Sequence, residues 1–374
     1  MIYLDNNAST PVDPEVVDAI YSTLKTNFGN PSSSHDMGLR ARASVEKARE
    51  QVAELIGSLP EDISFTSGGT ESNNLAIIGT AQRHGKGHII TSVIEHPSVM
   101  NPCRYLEGRG FDVTYVNVDR YGRVIIEDIE RAIRKETILI TVMHANNETG
   151  VLQPVEEIGV IARERGITFH TDAAQTLGKI PVNIRTLNVD MMTIASHKFY
   201  GPKGIGALYI RKGLDVVPIL YGAGHEKGLR PGTENVPGIV GMGRACELAR
   251  IYVKDRVSHA KKLTNMLYSS LKEKIEGIRL NGHETMRLPN TLNIHIPGVD
   301  SSELLERIKD RVAASSGSAC HAGQRKPSSV LTAMGLSDTD ALSSIRLSTG
   351  KDNTEGEIRE AVEVIVKAVQ GQKL

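Results

Sequence analysis

The chain has 374 residues, with 44 basic against 44 acidic side chains, 40% apolar residues and 24% charged ones. An even charge balance supplies no field for gripping nucleic acid or an anionic membrane face, and the length suits about two domains whose core needs no staples. Three cysteines, Cys103, Cys246 and Cys320, are too few and too scattered for a disulfide framework and fit no zinc spacing, so a reducing cytosol is the expected setting.

From Met1 to Asn7 no basic segment leads into an apolar one, and no later stretch is long and uncharged enough to span a bilayer. The expectation is a soluble, unexported, cytoplasmic protein. The first strand-like run, Ile63 to Thr66, opens into Ser67-Gly68-Gly69-Thr70-Glu71-Ser72-Asn73-Asn74 and then a helical stretch from Leu75 to Gln82. Glycines let backbone amides approach an anion, Thr70 adds a hydroxyl, and a helix N-terminus adds its positive end, so the segment reads as a phosphate cradle or as a turn with a Ser/Thr cap.

Further strands are expected at His88 to Ser92, Val113 to Val118, Ile138 to Val142, Thr168 to Thr171, Met191 to Ala195 and Ala207 to Ile210. Amphipathic stretches at Val99 to Arg109, Glu127 to Lys135 and Val155 to Arg165 are long enough to be crossover helices, which is the pattern of a largely parallel sheet. Ligands of such sheets bind beyond the carboxyl ends of the strands. Those positions carry His96 before Pro97, the polar run His144 to Gly150 with Asn147, Asp172-Ala173-Ala174-Gln175, and Ser196-His197-Lys198. His96 reads as a ring that stacks on a flat cofactor or as a helix cap, and Asp172 as the partner of a protonated ring nitrogen or as an N-cap. Lys198 can form a Schiff base where its surroundings lower its pKa. Lys203 is a rival, but it lies beyond the Gly201-Pro202 turn, whereas Lys198 follows its strand directly.

A turn-rich run from Tyr221 to Pro237 precedes a long helical pattern from about Ile239 to Ile275. Asn290 to Ile296 then reads as a strand and Thr354 to Val369 as a final helix. The small residues of Ala313 to Gly323 suit neither core strand nor helix, so Cys320 is expected on a mobile surface loop with His321, Arg325 and Lys326 behind it to favour the thiolate. Cys246, and Cys103 with it, fit small buried hydrophobes.

Taken in order, Tyr3-Leu4-Asp5-Asn6-Asn7-Ala8, the Gly68 to Asn74 run, Glu95-His96, Asn146-Asn147-Glu148, Asp172-Ala173-Ala174-Gln175, Ser196-His197-Lys198 and Arg230-Pro231-Gly232-Thr233 resemble the class V, fold-type I pyridoxal-phosphate enzymes over nearly the whole chain. Ser316-Gly317-Ser318-Ala319-Cys320 resembles the long catalytic loop of the cysteine desulfurases of the NifS/IscS group. The resemblance implies an α/β fold with a mainly parallel seven-stranded sheet in a large domain (15–250). A smaller α+β domain (1–14 and 251–374) would carry the cysteine loop, about 313–325.

It also implies that Lys198 carries pyridoxal 5'-phosphate and acts as base, that Asp172 pairs with the ring nitrogen, and that His96 stacks on the ring and relays a proton. Gly69, Thr70, Ser196 and His197 are expected at the phosphate, with Thr233 reaching the phosphate of the partner subunit in a homodimer. Asn147 and Gln175 are expected at the ring oxygen, and Arg346, with Asn147, at the substrate L-cysteine, whose carboxylate the forked guanidinium suits. Cys320 would take the sulfur as a persulfide, pass it to an iron-sulfur cluster scaffold protein, and serve as a transient [2Fe-2S] ligand shared with that scaffold. Two departures stand out. Ala195 replaces the usual serine three places before the lysine, with Ser196 beside it, and His321-Ala322 follows Cys320 where small polar residues are common. A selenocysteine lyase or aminotransferase of the same fold, which would need no loop cysteine, and a non-catalytic scaffold homologue are the alternatives.

Overall fold

The structure, a computed structural model, describes residues 1–316 and 326–371. The chain opens with β1 (Ile2–Tyr3). Seven strands then form the main sheet: β2 (Ile63–Thr66), β3 (His88–Ser92), β4 (Asp112–Val116), β5 (Thr137–Thr141), β6 (Thr168–Asp172), β7 (Met191–Ala195) and β8 (Gly206–Ile210). Their spatial order is β2-β8-β7-β6-β5-β3-β4, and β8 alone runs antiparallel to its two neighbours.

Every residue of β3, β7 and β8 is buried, whereas the edge strand β4 exposes Asp112. Helices cover both faces, which is why the inner strands read as continuous apolar runs rather than alternating ones. Alternation survives in which face each residue meets. Ile89, Leu139 and Met191 pack with Leu75, Ile77 and Val99 from the helices Gly69–His84 and Pro97–Glu107. Their neighbours Ile90, Ile140 and Met192 pack on the other side with Val52, Ile158 and Met242, from the helices Asp36–Ile56, Val155–Glu164 and Val236–Lys274.

The helix Val236–Lys274 begins three residues ahead of the expected Ile239, because Asn235 caps it and Pro237 suits its first turn. Its first half lies in the main core. Its second half, through Leu263, Leu267 and Leu271, joins a separate core around the antiparallel sheet of β9 (Arg279–Leu280), β10 (Thr291–His295) and β12 (Ser344–Ser348). β11 (Val312–Ala313) pairs in parallel with β1, which ties the N-terminus to this second core. Among the described residues no helix is long and apolar enough to cross a membrane, and Cys103 and Cys246 are fully buried.

Candidate active site

A cavity of about 360 Å³ lies at the carboxyl ends of the main-sheet strands and reaches across to β12. Four regions far apart in sequence line it: the Asn7-Ala8 turn, the start of the helix Gly69–His84, the residues that follow β3, β5, β6 and β7, and Arg346. Gly68 caps the Gly69–His84 helix without any side-chain hydrogen bond, so the hydroxyl-cap reading of this segment fails. The first-turn amides and the Thr70 hydroxyl remain available to an anion. Gly69 packs beside Ala195, whose Cβ would meet a Cβ built on Gly69 at 3.4 Å, an ordinary contact distance.

Lys198 sits on the single 3₁₀ turn Ser196–Lys198 that ends β7, and its Nζ donates to the carbonyls of Asn7 and Ala8, each at 2.8 Å. Burial and then the nearby Arg346 charge push this amine down to about 8. Asp172 is the last residue of β6; its two oxygens accept from Asn73 Nδ2 at 2.7 Å and from the Ala174 amide at 2.9 Å. His96 does cap the helix Pro97–Glu107, its Nδ1 accepting from the Ser98 amide at 3.1 Å. That bond places the proton of the neutral ring on Nε2. Burial holds His96 below the ordinary histidine range despite the Asp172 charge. The structural and functional readings of His96 are therefore compatible, because the cap uses only one ring nitrogen.

Arg346, in the middle of β12, donates Nη2 to Asp5 at 2.7 Å and Nη1 to the Asn147 carbonyl at 3.0 Å. Its Nε is buried with no partner among the described residues. Gln175 donates Nε2 to the Asn7 carbonyl at 3.0 Å and accepts from Lys179 at 2.7 Å. His197 lines the cavity near Ser9, and burial with the Lys198 charge lowers it to about 4.

Ser196 does not line the cavity: its hydroxyl points to Gly201, where a Cβ would come within 1.9 Å of it, and it has no partner among the described residues. Adjacent residues leaving a strand point to opposite sides, so the methyl of Ala195 faces the cavity instead. Thr233 is exposed and outside this cavity, on the turn after Gly232. Lys203 is exposed and outside it as well. Cys320, His321 and Arg325 lie outside the described residues, but the flanks of their segment are placed. Ser315 pairs with Arg346 through two backbone hydrogen bonds, and Ser328 donates to Glu148, next to Asn147. Among the described residues no His/Cys/Asp/Glu group could hold a metal ion.

Asn7 and Lys179 were not singled out from the sequence. Asn7 belongs to the N-terminal motif, and only the contact of that motif with the Gln175 turn reveals its place. Lys179 had one sequence signal, its spacing of four residues from Gln175.

The donor set suits a flat aromatic aldehyde bearing a phosphate: a helix N-terminus with Gly69, Thr70 and His197 for the anion, Asp172 for a protonated ring nitrogen, and a depressed lysine for the aldehyde. The profile of the class-V aminotransferases matches residues 2–360. The chain is 46% identical over 372 residues to a cysteine desulfurase of Trichormus azollae, covering 99% of this chain and 93% of the relative. It is equally similar, at 46% over 372 residues, to the cysteine desulfurase IscS of Methanosarcina thermophila, covering 99% and 92%. A solved NifS-like protein superposes with a TM-score of 0.93 at 39% identity, covering 99% of each chain.

Proposed function

The chain belongs to the class-V aminotransferase family and, within it, to the cysteine desulfurases, and from that premise we propose that Lys198 carries pyridoxal phosphate while Cys320 takes the sulfur of L-cysteine. The observation that carries the proposal is the meeting of Lys198, Asp172, His96 and Arg346, from four separate elements, on one cavity. Gly69, Thr70 and His197 hold the phosphate, Asp172 the ring nitrogen, and Gln175 with Asn147 the ring oxygen. Bound there, the cofactor supplies an electron-withdrawing ring that acidifies the substrate Cα–H and weakens the Cβ–S bond.

The side chains divide the remaining work. The Arg346 guanidinium, whose Nε has no partner among the described residues, orients the substrate carboxylate, and Asp5 with the Asn147 carbonyl holds it still. Lys198, with its low affinity for a proton, takes the Cα proton and returns it. His96 Nε2 moves a proton at the substrate sulfur. The Cys320 thiolate attacks that sulfur: the Cβ–S bond breaks, an S–S bond forms, and the carbon skeleton leaves as L-alanine after protonation. The reaction is balanced, since thiol plus cysteine equals persulfide plus alanine. The placement of Ser315 against Arg346, which lines the cavity, and of Ser328 against Glu148, next to the lining residue Asn147, supports this role.

The same reading makes the protein a cytoplasmic homodimer in which Thr233, exposed and outside its own cavity, completes the partner's phosphate site. Residues 15–250 form the large domain, and 1–14 with 251–374 the small one. The persulfide is delivered to a scaffold protein that builds [2Fe-2S] clusters, with Cys320 as a passing ligand of that cargo. Borohydride reduction followed by peptide mapping tests the lysine, and a label on Lys203 or Lys179 sinks the assignment. Cys320→Ala tests the sulfur step. Sulfide or alanine release from L-cysteine that survives this change would favour a lyase or aminotransferase instead.

A further inference from the structure

Lys179 is buried, 8% exposed, beneath the cavity floor and takes no part in the steps above. Its Nζ donates to Gln175 Oε1 at 2.7 Å and to Asn7 Oδ1 at 2.9 Å. With Nζ donating to both, the two amides turn their carbonyl oxygens toward it and their NH₂ groups away. The rest of the network obeys that polarity. Gln175 Nε2 donates to the Asn7 carbonyl at 3.0 Å, and Asn7 Nδ2 donates to Thr291 Oγ1 at 2.9 Å. The Asn7 carbonyl that takes the Gln175 NH₂ also takes Lys198 Nζ at 2.8 Å. Lys179 thus sets the sense of two amides that border the reactive amine together with the Asn7 carbonyl, which takes the Gln175 NH₂, and with Asn290 Nδ2 and the Asn147 carbonyl, which meet Asn7 Oδ1 at 3.1 Å and Asn7 Nδ2 at 3.3 Å.

We propose that Lys179 is a positioning residue: it locks the Gln175 amide so that Gln175 presents an N–H donor, rather than a carbonyl, to the ring oxygen of the cofactor. The inference rests on the reading that Gln175 holds that oxygen. Free in solvent, an amide flips at almost no cost, and half its orientations would set a carbonyl lone pair against an oxygen that carries negative charge. An amide or hydroxyl in place of Lys179 could itself be reoriented, whereas the Lys179 amine gives both amide oxygens a donor from one nitrogen. Burial, followed by the charges of Lys198 and Arg346, drives Lys179 well below the usual lysine range. Tyr200, Arg256 and Lys351 line the small cavity on its other side, so no carboxylate there offsets the cost of burying this amine. A lysine retained at that cost needs a purpose beyond packing.

The test is a double-substitution cycle on the holoenzyme, read from the pH midpoint of the visible absorbance of the Lys198-bound cofactor, with cofactor Kd as a second readout. Gln175→Ala should move the midpoint by about one pH unit, tenfold in the acid constant. Lys179→Met should move it in the same direction, and the double variant should move it no further than Gln175→Ala alone. Lys179→Gln keeps two donors, lacks the charge, and stands in if the methionine variant does not fold; its midpoint should lie nearer wild type than that of Gln175→Ala. If Gln175→Ala leaves the midpoint unmoved, the reading of Gln175 is wrong. If Gln175→Ala shifts it but the Lys179 changes leave it alone, or add to it independently, the positioning role is overturned. A Lys179→Gln shift as large as that of Gln175→Ala overturns it too.

Discussion

Two buried arginines in this molecule are used in opposite ways. Arg49, on the helix Asp36–Ile56, donates Nη1 and Nη2 to the two carboxylate oxygens of Glu226 at 2.7 and 2.9 Å and Nη1 also to the Ile63 carbonyl at 2.9 Å. Glu226 in turn accepts the Phe65 amide at 2.9 Å, and the guanidinium lies 4.9 Å from the Phe65 ring centroid. The cluster is closed, and it ties a helix, β2 and the turn at Glu226 into one unit. Arg346, which lines the cavity, shares its headgroup between Asp5 and the Asn147 carbonyl but leaves its buried Nε unpartnered among the described residues. A buried cation whose hydrogen bonds are complete supports the fold, whereas one left incomplete beside a cavity is a candidate for binding an anion.

Substitutions should separate the two regions, beginning with the largest effect. Arg49→Met leaves Glu226 buried and unpaired, which should cost about 3–5 kcal/mol of stability in urea unfolding, while the KM for L-cysteine of the folded fraction stays unchanged. In the cavity the sign reverses. Lys198 is held near 8 by burial and then by Arg346, so between about pH 8 and 10.4 the folded chain binds fewer protons there than the unfolded chain, and this contribution to stability rises with pH. Below pH 8 the whole cost of burying the charged amine is present. Cofactor-free Lys198→Met should therefore be more stable than wild type at pH 7, by on the order of 2–3 kcal/mol, with the gap closing by pH 10. An unchanged gap across that range would show that Lys198 is not the strained group.

Arg346→Gln should raise the KM for L-cysteine by roughly 30-fold, the equivalent of about 2 kcal/mol for a charge-assisted hydrogen bond, and should destabilise the chain less than Arg49→Met. A larger loss of stability than at Arg49 would make Arg346 the structural member of the pair. The smallest effect concerns the phosphate end. Ala195→Ser adds a hydroxyl on the cavity side and should tighten cofactor binding about fivefold, near 1 kcal/mol. Ser196→Ala removes a hydroxyl that faces Gly201 and should leave the cofactor Kd where it is, as a fluorescence titration would show.

Much of the site was legible because the sheet is parallel. Met191 to Ala195 matches β7 residue for residue, and Asp172, Lys198 and His96, which line one cavity, lie at or shortly past the ends of such runs, where the sequence points to them as candidates. Position within a step was harder. Ser196 and Ala195 differ by one residue, and one residue decides which side of the strand end a hydroxyl faces. The polar floor was harder still, because Asn7 and Lys179 are separated by 172 positions and are joined by a hydrogen bond that no local pattern announces.

By itself, the sequence determined the alternation of strand and helix, the order of the motifs and the candidates for each reactive group, since all three depend on short-range periodicity and side-chain chemistry. Only the tertiary structure decided that Arg346 Nε has no partner among the described residues, that Ala195 rather than Ser196 faces the cavity, and that Lys179 bonds to Gln175. Those properties belong to pairs of distant residues, and the strength and direction of a hydrogen bond exist only once the fold has brought both partners within reach and excluded water between them.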